Sequence, residues 1–319
     1  MRIVVNGWFY GGLGSGSGQY LAGLLTAIGP RDKRPEIILV SPSLPEGIAA
    51  PDGDKKTFRV VRTGTPFDRV NPDLAKVWFE QVTFPRLCRA VGADVALVPY
   101  WGSPWWSACP LVVTIHDAIP RILPAYRGGL LQRAYTWLVS ATARRASLVL
   151  TDSEASRRDL LATLAIPEKR VRAVHLAVSD RFAPVTDTST LASVRTRYGL
   201  PESPYLLYLG GFDVRKNVAR MLRGYARAAQ AASLGRELPP LVIAGRPPTY
   251  DSQFTPDPRR ITTELGIAPK VHFTGWVDEK DKPALYTMAL GTLFLSEYEG
   301  FGLPLLEAMA CGCPVISAH

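Results

Sequence analysis

The stretch "TLFLSEYEGFGLPLLEAMACGCPVIS", Thr292 to Ser317, reads as a strand, a bare loop, a short helix and a second strand. The apolar run over 292–296 gives β character, Gly300 and Gly302 keep the next loop open, and Pro304 suits the first turn of a helix over 303–311. "PVIS" at 314–317 then returns to β character. Strands that are apolar throughout, alternating with helices, build a parallel sheet covered on both faces.

Working outward, the same alternation fills the chain. Strands are expected at 2–6, 36–41, 58–62, 94–99, 111–116, 147–152 and 171–176, then at 205–210, 241–245, 271–275, 292–296 and 314–317. Helical segments are expected between them, at 72–90, 128–145, 153–164, 217–232 and 303–311. The expected fold class is α/β, with two doubly wound, Rossmann-like parallel sheets. A polar stretch over 179–204 separates the two series, so the junction is placed there, between domains at 1–185 and 200–319. Two such domains would face each other across a cleft, with ligands at the carboxyl ends of the strands.

The 319 residues are 47% hydrophobic and 20% charged, a globular composition with length for two cores. Cys88, Cys109, Cys311 and Cys313 fit no zinc spacing and read as reduced core residues of a cytoplasmic protein. "MRIVVN" reads as a strand and not as a signal peptide, and no apolar run is long enough to span a membrane. The net charge of +9 selects anionic partners: phosphorylated ligands, anionic lipid or nucleic acid. No nucleic-acid-binding module is present, which ranks that partner last.

Four places carry candidate chemistry. "NGWFYGGLGSGSGQYL" (6–21) is a Gly/Ser loop after the first strand, where Gly14 and Gly16 allow close backbone approach to a ligand. It fits neither the G-x-G-x-x-G register nor a P-loop, and a flexible linker is the bland alternative. "VTIHDAIP" (113–120) puts His116 at a strand's carboxyl end, where it either meets an oxygen-rich ligand or forms a structural His-Asp pair. In "YLGGFDVRKNV" (208–218), Arg215 and Lys216 repel each other beside a helix N-terminus, an arrangement suited to a diphosphate and otherwise explained only as solvated charge. Last, Glu299 and Glu307 flank the open loop. Glu307, in or near the helix's first turn, gains from the dipole, whereas Glu299 has no such structural reason. Carboxylates for hydroxyls beside cations for phosphates describe a nucleotide sugar. Asp52-Gly53-Asp54 imitates a metal-binding D-x-D, but turn chemistry explains it and no metal is expected.

Together these motifs resemble the retaining glycosyltransferases of group 1, which have the GT-B fold, over nearly the whole chain. "EGFGLPLLEAMACGCPVI" matches the family's E-x7-E signature, "GGFDVRKN" its diphosphate-binding turn, "TIHDAIP" its donor-contacting histidine, and "TDSEASRRDL" (151–160) a stretch of mannosyltransferase-like members. The resemblance implies that Arg215 and Lys216 bind the donor diphosphate and that Glu307 accepts from the ribose. Glu299 and the amides of Phe301, Gly302 and Leu303 would hold the sugar, which His116 also contacts. Gly14 and Gly16 would approach the phosphates, and the backbone at Gly275, Trp276 and Val277 would border the base. No metal or other cofactor is implied beyond the donor. Many members carry arginine where this sequence has Gly211, and Arg215 takes its place. The family continues past "PVISA", which implies an incomplete second domain.

The activity implied is transfer of a hexose, with GDP-mannose the preferred donor, to a saccharide or lipid-linked acceptor. Between Asp117 and Asp152 stand Arg121, Arg127, Arg133, Arg144 and Arg145 with no acid, either a peripheral contact with the inner face of a membrane or a solvated helix face. "PYWGSPWWSACP" (99–110) offers its tryptophans either to an acceptor pocket or to the core. Two rival readings are a nucleotide-sugar epimerase of the same architecture and a non-catalytic nucleotide-sugar binder.

Overall fold

Val4 and Val5, neighbours on the first strand, bury into two different cores. The same split separates Ile38 and Val40 from Ile37 and Leu39 on the second strand. Each strand is thus covered on both faces, as its continuous apolar sequence requires. The computed structural model describes residues 1–12, 15–28, 35–42, 58–232 and 238–318. Gly14 and the Asp52-Gly53-Asp54 turn lie outside the described residues.

The chain divides into two compact units, Met1–His175 and Leu176–His319. The first holds β1 (Arg2–Asn6), β2 (Glu36–Ser41), β3 (Phe58–Arg62), β4 (Val95–Val98), β5 (Leu111–Thr114), β6 (Leu148–Thr151) and β7 (Val171–Ala173). Its sheet runs β3-β2-β1-β4-β5-β6-β7, and every pair is parallel. The second holds β8 (Tyr205–Leu209), β9 (Leu241–Ala244), β10 (Val271–Gly275), β11 (Ala289–Phe294) and β12 (Val315–Ser317). Its order is β10-β9-β8-β11-β12, again all parallel, with Leu207 and Val242 facing one core and Tyr208 and Ile243 the other. Each strand expected from the sequence is present.

Two departures have physical causes. The helix expected at 72–90 is divided: Pro72–Trp78 and Phe84–Ala90 are α-helical, and Phe79–Thr83 between them is a π-helical turn. Pro85 cannot donate to the residue four before it and its ring crowds that carbonyl, so the ladder widens just upstream. The polar stretch at 179–204 is part of the second unit and contains a helix, Thr188–Tyr198. Asp187 caps it by accepting from Ser189 N and Thr190 N, and Gly199, at φ +58°, ends it. Leu191, Val194 and Tyr198 supply its apolar side and pack with Phe182 and Leu200 on the second unit's core.

The Gly/Ser loop is built on itself. Ser15 Oγ accepts from Gly18 N at 3.2 Å and so caps the helix Gly16–Ile28. A Cβ on Gly18 would stand 2.1 Å from the Gly12 carbonyl oxygen, so glycine there serves packing of the loop. Gly16 has nothing within 4 Å of such a Cβ.

Candidate active site

In the second unit the strand order runs outward from β8 through β9 to β10, then restarts on β8's other side with β11. The chain reverses between β8 and β11, and loops leaving the carboxyl ends of such a strand pair diverge to open a crevice. Here those loops are residues 210–217 and 295–302.

The first loop leaves β8 through Gly210. Its amide donates to Ala244 O at 3.0 Å, and the Gly245 amide donates to Gly275 O at 2.9 Å. A Cβ at Gly245 would stand 2.2 Å from the Gly210 carbonyl oxygen, so the strand ends close up only around glycine. A 3-10 turn, Val214–Lys216, follows and ends at Asn217, which takes φ +57° before the helix Val218–Ala232. Asparagine tolerates that left-handed geometry better than most residues.

That turn aims both cations at the second loop. Glu299 binds Arg215 Nη1 through Oε2 at 2.6 Å and Lys216 Nζ through Oε1 at 2.6 Å. Arg215 also donates to Tyr298 O at 3.0 Å and lies 3.5 Å from Asp213 Oδ1. The Glu297 amide donates back to Arg215 O at 2.8 Å, tying the two loops together. Arg215 and Lys216, which repel each other, and Glu299, which has no local reason to stand in this loop, are each explained by the other. Burial works to raise the Glu299 carboxyl, but the charges of Lys216 and Arg215 and its hydrogen bonds outweigh it, holding the group below the ordinary range. It is an anion at neutral pH.

Glu307 stands apart from this cluster. It is the fifth residue of the helix Leu303–Ala310, next to the first turn, as the sequence leads one to expect. Gly302 caps the helix at φ +94°, a conformation natural to glycine, and Phe301 precedes it. Glu307 is buried and accepts from the Tyr286 hydroxyl at 3.3 Å. Burial raises its carboxyl, opposed by the Lys282 charge. On the other side of β8, β10 ends at Gly275, with φ +71°. Trp276 beyond it is 51% exposed with the Arg246 guanidinium 5.6 Å over its ring, and Val277 is buried.

In the first unit His116 follows β5, and both ring nitrogens are engaged. Nδ1 lies 2.8 Å from Asp152 Oδ2, Nε2 lies 3.2 Å from Pro99 O, and Tyr20 packs edge-on against the ring. Its carboxylate partner is Asp152, past β6, and not the adjacent Asp117, whose Oδ1 accepts from Ile119 N. Among the described residues no cluster of three or more His, Cys, Asp or Glu could hold a metal, and no helix is long and apolar enough to cross a membrane.

Residues 14–182 match the family described as Glycosyltransferase Family 4, and residues 194–319 match Glycosyl transferases group 1. The chain belongs to Glycosyltransferase Family 4 and carries a group 1 glycosyltransferase region in its second part. One relative is the O-antigen chain mannosyltransferase B of Escherichia coli, 31% identical over 65% of this chain and 52% of its own. The chain thus spans about half the length of that curated relative. Among solved structures, sucrose-phosphate synthase of Thermosynechococcus elongatus matches with a TM-score of 0.71 at 19% identity, over 99% of this chain and 81% of its own. HepE of Anabaena, solved with UDP-glucose, matches with a TM-score of 0.67 at 18% identity, over 99% and 80%. The fold is therefore that of the GT-B glycosyltransferases.

In this glycosyltransferase chain the sequence marked Arg215, Lys216 and Glu299 and missed Asp213, which braces Arg215, and Asp152, which braces His116. Asp152 ends an apolar strand, the same signal that singled out His116. Asp213 lies inside the quoted turn, but nothing in its spacing distinguishes it from an ordinary loop acid.

Proposed function

We propose that the protein transfers a hexose from a nucleotide-diphosphate sugar to a saccharide or lipid-linked acceptor, with retention at the anomeric carbon and without a metal. The observation that carries this is the paired grip of Glu299 on Arg215 and Lys216 at the β8/β11 reversal. A donor diphosphate replaces the carboxylate on the two cations, and Glu299, released, accepts from a sugar hydroxyl. As the bond from C1 to the diphosphate oxygen breaks, Arg215 and Lys216 hold the charge that develops. The acceptor oxygen bonds C1 on the same face and its proton passes to the departing diphosphate. Glu307 accepts from the ribose, the amides of Phe301, Gly302 and Leu303 hold the sugar, and Gly275, Trp276 and Val277 border the base. Mannose is favoured by the mannosyltransferase relative, and GDP-mannose as its form by the motifs that resemble the family.

Incubating the chain with a panel of nucleotide sugars in the presence of EDTA tests this. Release of nucleoside diphosphate is expected, fastest from GDP-mannose. A panel without turnover, or one whose product is an epimerised nucleotide sugar, would sink the reading.

The arginine-rich face at 121–145 supports a contact with anionic lipid. Leu130 is 82% exposed, Leu131 89% and Trp137 63%, on a helix that also exposes Arg133, and Arg145 stacks 4.2 Å over the exposed Trp105 ring. Apolar anchors among unopposed cations fit a lipid surface. Phosphatidylserine vesicles should sediment the chain and phosphatidylcholine vesicles should not. Leu130→Ser with Leu131→Ser should weaken the binding about fivefold or more.

A further inference from the structure

Arg2 and Arg157 show how the first unit neutralises a guanidinium. Arg2 binds Glu36 at 2.8 Å, and Arg157 binds Glu154 at 3.5 Å and Glu168 at 2.8 Å. Arg121, Arg144 and Arg170 are gathered in one place, and their hydrogen bonds go to backbone carbonyls instead. Among the described residues no carboxylate pairs with any of the three.

They meet at the carboxyl end of the helix Glu154–Leu164, which stops at Ala165 with φ +48°. The last carbonyls of a helix have no partner within it. Arg144 Nε donates to Leu164 O at 2.7 Å, and Arg121 Nη2 donates to Thr163 O, the neighbouring carbonyl, at 3.4 Å. Arg170 Nη1 donates to the backbone oxygen of Arg144 at 3.4 Å, which places the third guanidinium beside that residue. Each comes from a separate element. Arg121 lies on the helix Ile119–Ile122, Arg144 caps the helix Leu130–Ala143, and Arg170 ends the turn Glu168–Arg170 before β7.

Capping accounts for one N–H group on Arg144 and one on Arg121. A guanidinium carries further N–H groups in a planar fork. Arg121 and Arg144 are exposed and Arg170 is half-buried, so those groups are open to solvent. The helix end offsets roughly half a charge, against three cations that repel one another. Glu168 stands two positions from Arg170 and is nevertheless given to Arg157. What remains is an excess of positive charge with planar donors to spare. A carboxylate ligand would bring one charge and two oxygens. A phosphate group brings two charges and three oxygens, which guanidinium forks grip in pairs.

We propose that Arg121, Arg144 and Arg170 form a site for a doubly charged phosphate group, carried by a lipid headgroup or by a soluble phosphate. Arg144 and Arg170 stand just before β6 and β7, at the amino ends of the strands, whereas open α/β sheets take their substrates at the carboxyl ends. The exposed Leu130 and Leu131 begin the helix that Arg144 ends, about 20 Å away. The site is therefore separate from the donor chemistry and from those apolar anchors, and it stands without the transferase reading.

Calorimetry on the full chain at low salt, with inorganic pyrophosphate as the soluble probe, should find one site in each unit. Arg121→Gln with Arg170→Gln should weaken the first unit's site about tenfold or more, and Lys216→Ala should remove the other. The two replaced arginines give the fold only contacts of 3.4 Å to carbonyls, so the double variant should remain folded. Sedimentation with vesicles identifies the source. A preference of about fivefold for phosphatidate over phosphatidylserine at equal surface charge, lost in the double variant, assigns a lipid headgroup. Pyrophosphate binding without that preference assigns a soluble phosphate. Affinities for pyrophosphate and phosphatidate that are both unchanged in the double variant overturn the site. Loss in the double variant with no effect of Lys216→Ala breaks the donor reading and leaves this site standing. Should the double variant fail to fold, unchanged affinity of Arg170→Gln for both probes overturns the site instead.

Discussion

At each sheet's reversal point a lysine faces a glutamate, yet the two glutamates titrate in opposite directions. Glu299 is 21% exposed, touches two cations at 2.6 Å, and is held below the ordinary carboxyl range although burial works against it. Glu80 is 0% exposed, has one cation at 3.6 Å, and is pushed up to about 7 by burial. Burial penalises a carboxylate in both places, and the number and distance of the cations decide whether it is overcome. The second unit's corner therefore carries a permanent anion that a phosphate can replace. The first unit's corner carries a carboxyl that exchanges a proton near neutrality.

Removing one charge from the second corner should give the largest effect. Lys216→Ala takes away a cation that stabilises the leaving group, and turnover of the preferred nucleotide sugar should fall about 100-fold or more. Glu299→Gln should act with the opposite sign on binding. With its rival carboxylate gone, nucleoside diphosphate should bind on the order of threefold to tenfold tighter by calorimetry, while sugar transfer falls. Weaker nucleotide binding by Glu299→Gln would show that carboxylate and diphosphate do not share the two cations.

The next effect separates the two glutamates by pH. Glu80 has a folded carboxyl raised above its ordinary value of 4.5, so the native state binds the proton more tightly than the unfolded chain. Stability contributed by that proton is present at low pH and is lost as pH rises from 4.5 through about 7. The size is on the order of 3 kcal/mol. Urea unfolding at several pH values should show this slope in the native chain and lose it in Glu80→Gln. Glu299 runs the other way: its stability is present above 4.5 and is lost as pH falls through its lowered folded value. Glu299→Gln should flatten only that acid limb.

The second corner was largely legible in the sequence and the first was not. Loops 210–217 and 295–302 announced themselves by glycines at strand ends and by charges that had no local reason to be there. Their pairing was not legible: Lys216 and Glu299 meet because β11 returns beside β8, which strand order settles and spacing does not. Nothing in the sequence singles out Lys76 and Glu80, because an i,i+4 pair of opposite charge on a helix is ordinarily solvated. The π-helical turn before Pro85 and the burial by Tyr100 and Tyr135 make them otherwise, and both depend on residues distant in sequence. The helix Thr188–Tyr198 was hidden for a simpler reason, since its apolar side is thin and its caps read as loop residues.

The glycines sharpen the contrast with the smallest effect. Gly302 holds φ +94°, and a Cβ there would stand 3.1 Å from Leu305 Cδ1. Gly302→Ala should therefore cost roughly 1–2 kcal/mol of stability as well as donor turnover. Gly16 begins a helix, and a Cβ there would meet nothing within 4 Å. Within the fold, Gly16→Ala should be stabilising by about 0.5 kcal/mol, because it restricts the unfolded chain and strains nothing. If Gly16 brings backbone to the donor phosphates, the same substitution must lower nucleotide affinity, since only the ligand would meet the new methyl group. A thermal melt and a calorimetric titration on one sample read the two effects with opposite signs. Stability up with affinity unchanged would remove Gly16 from the donor site and leave phosphate recognition to Arg215 and Lys216.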